Sequence, residues 1–166
     1  MDNKILMSFD DSFRVLMDIE KGYSNHKNDY GGETKYGISK RSYPQLDIPS
    51  LTIDQAKDVY YRDFWLTYHL DKVRDPQIAT QLLLITVNCS PQTSGRIVQK
   101  SINRAGGSLI IDGIIGTATV RMINQVSPSA LGDALRVELV KFYIDRVNID
   151  STQKVNFEGW VRRAML

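Results

Sequence analysis

Along most of the chain apolar residues recur three and four positions apart, and sustained alternation of apolar and polar residues is missing, so the pattern predicts a mostly α-helical protein. Phe13, Leu16 and Met17 form one such stripe behind Asp10, Asp11 and Ser12, any of which can cap a helix start. Glu20 falls at i+7 of that stripe. From Gly22 to Gly37 the periodicity breaks, and Gly31-Gly32 asks for an unusual backbone. Thr52 followed by Gln55 has the form of a capping box, and Ile53, Ala56, Val59, Tyr60 and Phe64 then continue at helical spacing. Asp75-Pro76 starts another helix, whose run Leu82 to Val87 has no polar side beyond Thr86 and reads as the central buried helix.

A further helix is predicted from Pro91 to Ala105, closed at Gly106-Gly107 by a left-handed cap. Ser108 to Thr119, SLIIDGIIGTAT, carries glycines spaced for a turn or short hairpin, with Thr117 able to cap the next helix. Ser127-Pro128 opens a long amphipathic segment with Leu131, Leu135, Leu139 and Phe142 on one face, and a last short helix carries Trp160. No repeat, low-complexity tract or linker divides the chain. A single globular unit is expected, with residues 1–90 as one part and 91–166 as a helical C-terminal part packed on it.

The chemistry begins with Glu20. A carboxylate on the apolar face near a helix end is costly unless it is paired or protonated, and burial raises its pKa, which is what a general acid needs. Asp29 and Thr34 follow in a glycine-rich loop able to fold back over that helix end. One acid with a second carboxylate is the arrangement of glycoside hydrolysis. The alternative is structural: Glu20 bonded to loop N–H groups, and Asp29 making an Asx-turn.

A wider set of motifs bears on this choice. Glu20-Lys21-Gly22-Tyr23 followed by Asp29-Tyr30-Gly31-Gly32-Glu33-Thr34-Lys35-Tyr36-Gly37-Ile38 resembles the signature of the glycoside hydrolase family 108 muramidases, Glu-Gly-Gly-Tyr and then Asp-Pro-Gly-Gly-x-Thr-x-x-Gly-Ile. Ala56 to Trp65 is similar to that family's Ala-x-x-x-Tyr-x-x-x-Tyr/Phe-Trp helix, and Thr86-Val87-Asn88 to its Ala-Val-Asn segment. Asp112-Gly113-Ile114-Ile115-Gly116 with Thr119, and Gly159-Trp160 with Arg163, resemble motifs of the family's C-terminal predicted peptidoglycan-binding region. Lys21 stands where the family has Gly, Tyr30 where it has Pro, and Leu84 where Asp is common.

The resemblance implies a lysozyme-like helical fold with a small loop or hairpin subdomain. It further implies an enzyme that hydrolyses the β-1,4 bond between N-acetylmuramic acid and N-acetylglucosamine in peptidoglycan. Glu20 would then be the catalytic acid. Phage-type lysozymes show a similar order of Glu, Asp, Thr and Gly-Ile; here 29 − 20 = 9 and 34 − 20 = 14, which assigns Asp29 and Thr34 to the attacking water. Tyr23 and Tyr36 flank the acid and are the expected sugar-stacking residues, and Asn88, closing the Ala-Val-Asn-like segment, is expected to join them in binding substrate. Trp65 and Trp160 are expected in the core, the DGIIG turn as a structural corner, and Arg162-Arg163 and Lys100-Arg104 on solvated helix faces. A lytic transglycosylase or a non-catalytic wall-binding or secretion-associated protein are the competing functions.

Composition narrows the field further. The 166 residues carry 21 basic and 19 acidic side chains, a net charge of +2, with no basic element of the kind nucleic-acid binders concentrate. Peptidoglycan glycan strands, rather than nucleic acid, are the expected partner, and a monomer the expected state. Cys89 is the only cysteine and His26 and His69 stand far apart, so neither a disulfide nor a metal site is expected, and no cofactor is needed for carboxylate chemistry. The start MDNKILMSFDD has no apolar run of signal-peptide length, and no stretch of about 18 apolar residues appears. The expectation is a chain made in the cytoplasm without membrane insertion, reaching the wall through a holin, as a phage or prophage endolysin would, or by other export.

Overall fold

Helix α1 spans Asn3–Ile19, so Asp10, Asp11 and Ser12 lie inside it rather than capping its start. Short polar side chains compete for backbone bonds and read as a boundary, but Phe9 carries the apolar stripe back past them, and Phe9, Phe13 and Leu16 are all buried. The computed structural model describes residues 3–19 and 33–165. The chain forms two compact units, Met1–Asp63 and Phe64–Leu166.

In the first unit, α1 is followed by strands β1 (Thr34–Lys35) and β2 (Ile38–Ser39), an antiparallel pair in which Thr34 faces Ser39 and Lys35 faces Ile38. Helix α2 (Ile53–Tyr60) opens as its sequence predicts: the Thr52 hydroxyl accepts from the Gln55 N–H, and the Gln55 side chain accepts in return from the Thr52 N–H. An exposed Lys57–Asp10 pair at 2.8 Å joins α2 to α1, a contact worth at most about 1 kcal/mol. Aromatic rings fill the space between the helices. Phe9 lies 4.9 Å from Tyr61, and Phe13 lies 6.0 Å from Tyr60, centroid to centroid.

After α2 the backbone loosens into a π-helical turn, Tyr61–Leu66, which contains the boundary between the units. The second unit is helical throughout its regular parts: α3 (Pro76–Asn88), α4 (Pro91–Arg104), α5 (Thr117–Ile123), α6 (Pro128–Ile149) and α7 (Lys154–Ala164). Asp75, Ser90 and Ser127 cap α3, α4 and α6, each ahead of a proline at the first helical position. Helix α3 is buried on most of its faces, from Ile78 and Ala79 through Leu82 to Thr86, as its unbroken apolar run predicts. Helix α6, about 33 Å long, is the spine against which α3, α4 and α7 pack. Its buried stripe runs Leu131, Leu135, Leu139, Tyr143, in steps of four, so Phe142 is only half-buried.

Helix α4 ends as expected. Gly106 takes φ +94, Gly107 N–H reaches back to Ile102 O at 2.9 Å and Gly106 N–H to Asn103 O at 3.3 Å, a Schellman closure. The segment 108–116 is a turn without strand pairing, and Gly116, not Thr117, caps α5. Among the described residues no helix is long and apolar enough to cross a membrane, and no group of His, Cys, Asp and Glu is placed to hold a metal ion.

Candidate functional site

Two of the six expected site residues stand on the hairpin of the first unit. Thr34 begins β1, and Tyr36 is the first residue of its turn. A type I′ two-residue turn, whose twist matches that of its strands, needs positive φ at both central positions, and Tyr36 (φ 53) and Gly37 (φ 76) supply it. Glycine does so freely, tyrosine only at a cost. Ile38, buried at 2% exposure, plugs the hairpin into the core, and Lys40 N–H to Glu33 O at 2.8 Å extends the ladder by one rung.

Side chains from the surrounding segments fix this hairpin from several directions. Tyr60 of α2 donates its hydroxyl to the Tyr36 carbonyl at 2.9 Å. Lys35 donates to the Pro49 carbonyl at 2.8 Å, with its ammonium 5.6 Å from the Tyr36 ring centroid. Lys40 reaches the Leu46 carbonyl at 2.7 Å. Beyond the hairpin, the Tyr43 hydroxyl donates to Asp63 at 3.0 Å, and Arg62 clasps the same carboxylate at 2.7 and 3.3 Å. The guanidinium hydrogen bonds lower the pKa of Asp63, while burial first, and then the Asp63 contact, push the Tyr43 phenol up to about 12. Asp63 is therefore a structural anion, not a proton donor.

Glu20, Tyr23 and Asp29, together with His26, Lys21, Tyr30 and Gly31-Gly32, lie outside the described residues. Among the described residues, every carboxyl whose pKa is displaced, Asp63, Asp112, Glu138 and Asp150, is displaced downward. Each of these is held by hydrogen-bonding partners in its own surroundings.

Asn88 belongs to the second unit, at the last position of α3. Its amide nitrogen donates to Leu84 O at 2.7 Å and its oxygen accepts from Arg163 of α7. Arg163 was expected on a solvated helix face; it is instead partly buried on this pair, because α7 lays that side of itself on α6. Nearby, Tyr143 stacks on Trp160 at 5.1 Å, and the Arg146 guanidinium lies 5.5 Å from the Trp160 ring centroid. Trp160 is thus half-buried under a cation, whereas Trp65 is fully buried as expected. Cys89 is only partly covered, and burial still pushes its thiol up to about 11.

The DGIIG turn is a structural corner of unusual tightness. Gly95 of α4 lets the Gly113 backbone come so close that a Cβ at residue 95 would sit 1.9 Å from Gly113 O. Gln99, 2% exposed, accepts from Gly113 N–H at 2.8 Å and donates to Asp112 at 2.6 Å and to Ile114 O at 3.1 Å. Ile110 and Ile114 are left 85% and 65% exposed on the pinned loop. Sequence reasoning overlooked Gln99, Tyr60 as a hydrogen-bond donor, and Asp63. The available signal for the first was a glutamine set among the apolar residues Ile97, Val98 and Ile102 of α4.

Residues 13–89 match the family model described as glycosyl hydrolase 108, and residues 93–165 the one described as predicted peptidoglycan domain. The structure of Brucella abortus SagA superposes with a TM-score of 0.77 at 19% identity, over 96% of this chain and 90% of that one. At that identity the likeness is one of fold. Among curated proteins none matches by sequence.

Proposed function

We propose that this glycoside hydrolase, whose residues 13–89 match the glycosyl hydrolase 108 model and whose residues 93–165 match the predicted peptidoglycan domain, is a muramidase. In this reading it cleaves the β-1,4 bond between N-acetylmuramic acid and N-acetylglucosamine, with residues 1–90 as the catalytic part and residues 91–166 holding peptidoglycan. The family match over residues 13–89 carries the reading.

Glu20 gives its proton to the bridging oxygen as the bond to the anomeric carbon breaks. Asp29 takes a proton from water, Thr34 orients that water, and the water oxygen bonds to the anomeric carbon of N-acetylmuramic acid, leaving a new reducing end. Attack by water on the face opposite the leaving group inverts the configuration. Tyr23 and Tyr36 offer ring faces to the pyranoses. The chain works as a monomer, as an endolysin or exported lytic protein, on wall reached through a holin or other export route.

Mass spectrometry of sacculi digested by the purified protein tests this directly. Muropeptides with reducing N-acetylmuramic ends bear it out. A 1,6-anhydro end makes the protein a lytic transglycosylase, a reducing N-acetylglucosamine end makes it a glucosaminidase, and sedimentation with sacculi without any product makes it a binding protein; each of the three overturns the proposal.

A further inference from the structure

The turn beside Thr34 is built around a residue that resists it. Tyr36 stands at the first central position of a two-residue hairpin with φ 53, a place where asparagine, aspartate or glycine is usual. A bulky L-residue there costs about 1–2 kcal/mol, and such strain persists only where the surroundings hold it. Left to itself, Tyr36 would relax to negative φ, giving a turn whose twist splays the strands. The strands are two residues each, so the ladder by itself does little to resist that change.

Other side chains hold the hairpin's strands; the contact on the turn peptide itself comes from α2. Tyr60, 1% exposed, donates its hydroxyl to the carbonyl of Tyr36 at 2.9 Å. That carbonyl belongs to the central peptide of the turn, the plane that must rotate if Tyr36 relaxes. Tyr60 itself is set rigidly, its ring lying 6.0 Å from that of Phe13 on α1 and its backbone sitting in the last turn of a helix that starts with a complete capping box.

We propose that Tyr60 is a positioning residue for hydrolysis: through the Tyr36 carbonyl it holds the left-handed turn that sets β1, and so Thr34, at the water site. The proposal rests on the reading of Thr34 given above. Tyr60 touches neither substrate nor water; it acts through the backbone of the hairpin.

The test is a double-mutant cycle on Tyr60→Phe and Thr34→Ala, with kcat and KM measured on solubilised glycan strands and the melting temperature recorded for each protein. Tyr60→Phe removes one hydroxyl and keeps the ring, and kcat is expected to fall about fivefold, the value of one hydrogen bond, with KM unchanged. The double variant should be no slower than Thr34→Ala alone, because the two act on one element. Val59→Ala, a core truncation one residue away, should lower the melting temperature while its kinetic effect multiplies with that of Thr34→Ala.

Tyr36→Asn provides the second arm, since asparagine tolerates the left-handed region. In that background Tyr60→Phe should no longer lower kcat, whatever happens to KM, and this arm stands even if Tyr60→Phe alone folds poorly. An impaired Thr34→Ala protein combined with a Tyr60→Phe loss that multiplies, or with no Tyr60→Phe loss, overturns the positioning role and leaves the muramidase reading intact. A Thr34→Ala protein as fast as wild type refutes the role given to Thr34, and the proposal falls with it.

Discussion

Three glycines sit inside helices of the second unit, and replacing each by alanine has a different calculable outcome. Gly95→Ala is the severe one. The new Cβ would lie 1.9 Å from Gly113 O and 2.1 Å from Gly113 C, whereas real Cβ contacts essentially never fall under 3.0 Å, so the loop backbone has to retreat by about 1 Å. The retreat stretches the Gly113 N–H bond to Gln99 at 2.8 Å and the Gln99 bond to Asp112 at 2.6 Å. Gln99 is buried, so its freed polar atoms find no water.

Overpacking of this kind costs about 1–3 kcal/mol and stranding a buried polar group about 1–3 kcal/mol, against about 1 kcal/mol gained from helix propensity, for a net loss of about 1–5 kcal/mol. For a chain of this size that lowers the melting temperature by roughly 2–20 °C. Gly159, whose added Cβ meets nothing within 4 Å, is the control: Gly159→Ala in α7 should gain up to about 1 kcal/mol. Gly132→Ala, where the nearest atom is the far end of Gln81 at 3.4 Å, should fall between them. Thermal unfolding of the three proteins side by side is the assay. A Gly95→Ala protein as stable as Gly159→Ala would refute the account of the DGIIG corner.

Cys89, with its thiol at about 11, should react with a disulfide reagent at pH 8 on the order of a hundredfold slower than it does in urea-unfolded protein, where the ordinary thiol value returns. Comparable rates in both states contradict the buried-thiol reading. The raised value also means that stability from this group is complete below about pH 9 and lost as the pH climbs to about 11; Cys89→Ala should remove that part of the alkaline slope. Tyr43 and Tyr143, both at about 12 because of burial, extend the loss from pH 10 to 12, and Tyr43→Phe should flatten that upper segment in an alkaline titration followed by circular dichroism. Asp63 works with the opposite sign. Its depressed pKa stabilises the fold above the ordinary carboxylate range and ceases to do so as acid protonates it, so Asp63→Asn should lessen the acid sensitivity of unfolding.

How much of this was legible beforehand depended on how local each signal was. The capping box at Thr52 and Gln55, the Asp75-Pro76 start and the Gly106-Gly107 stop are written within four consecutive residues, and all three stand in the structure as the sequence implies. The buried length of α3 was equally plain, because an apolar run without a polar side has few other destinations. Asp10, Asp11 and Ser12 misled for the same reason: their capping chemistry is local, and the competing term, Phe9 packing on Tyr61, joins residues far apart in the chain.

The hairpin at Thr34–Ser39 fits the small loop or hairpin subdomain that the family resemblance implies, but its turn could not be placed from local sequence, because Tyr-Gly is a poor turn dipeptide on its own and the Tyr60 hydroxyl on its carbonyl comes from 24 residues away. Gln99 and Arg163 show the same limit, each bonded to a partner that only the packed helices bring near. Of the six expected site residues, Thr34 and Tyr36 share one hairpin, Asn88 ends a helix of the other unit, and Glu20, Tyr23 and Asp29 lie outside the described residues.

In the proposed mechanism one protonated carboxyl, that of Glu20, drives glycan cleavage. This is tested most directly by measuring the release of reducing ends from purified sacculi by wild type and by Glu20→Gln, with matched circular dichroism spectra. Wild type should release reducing ends rapidly and the amide at least a hundredfold less, because it keeps the shape and has no acid proton to give. Equal release by the two proteins would contradict this mechanism.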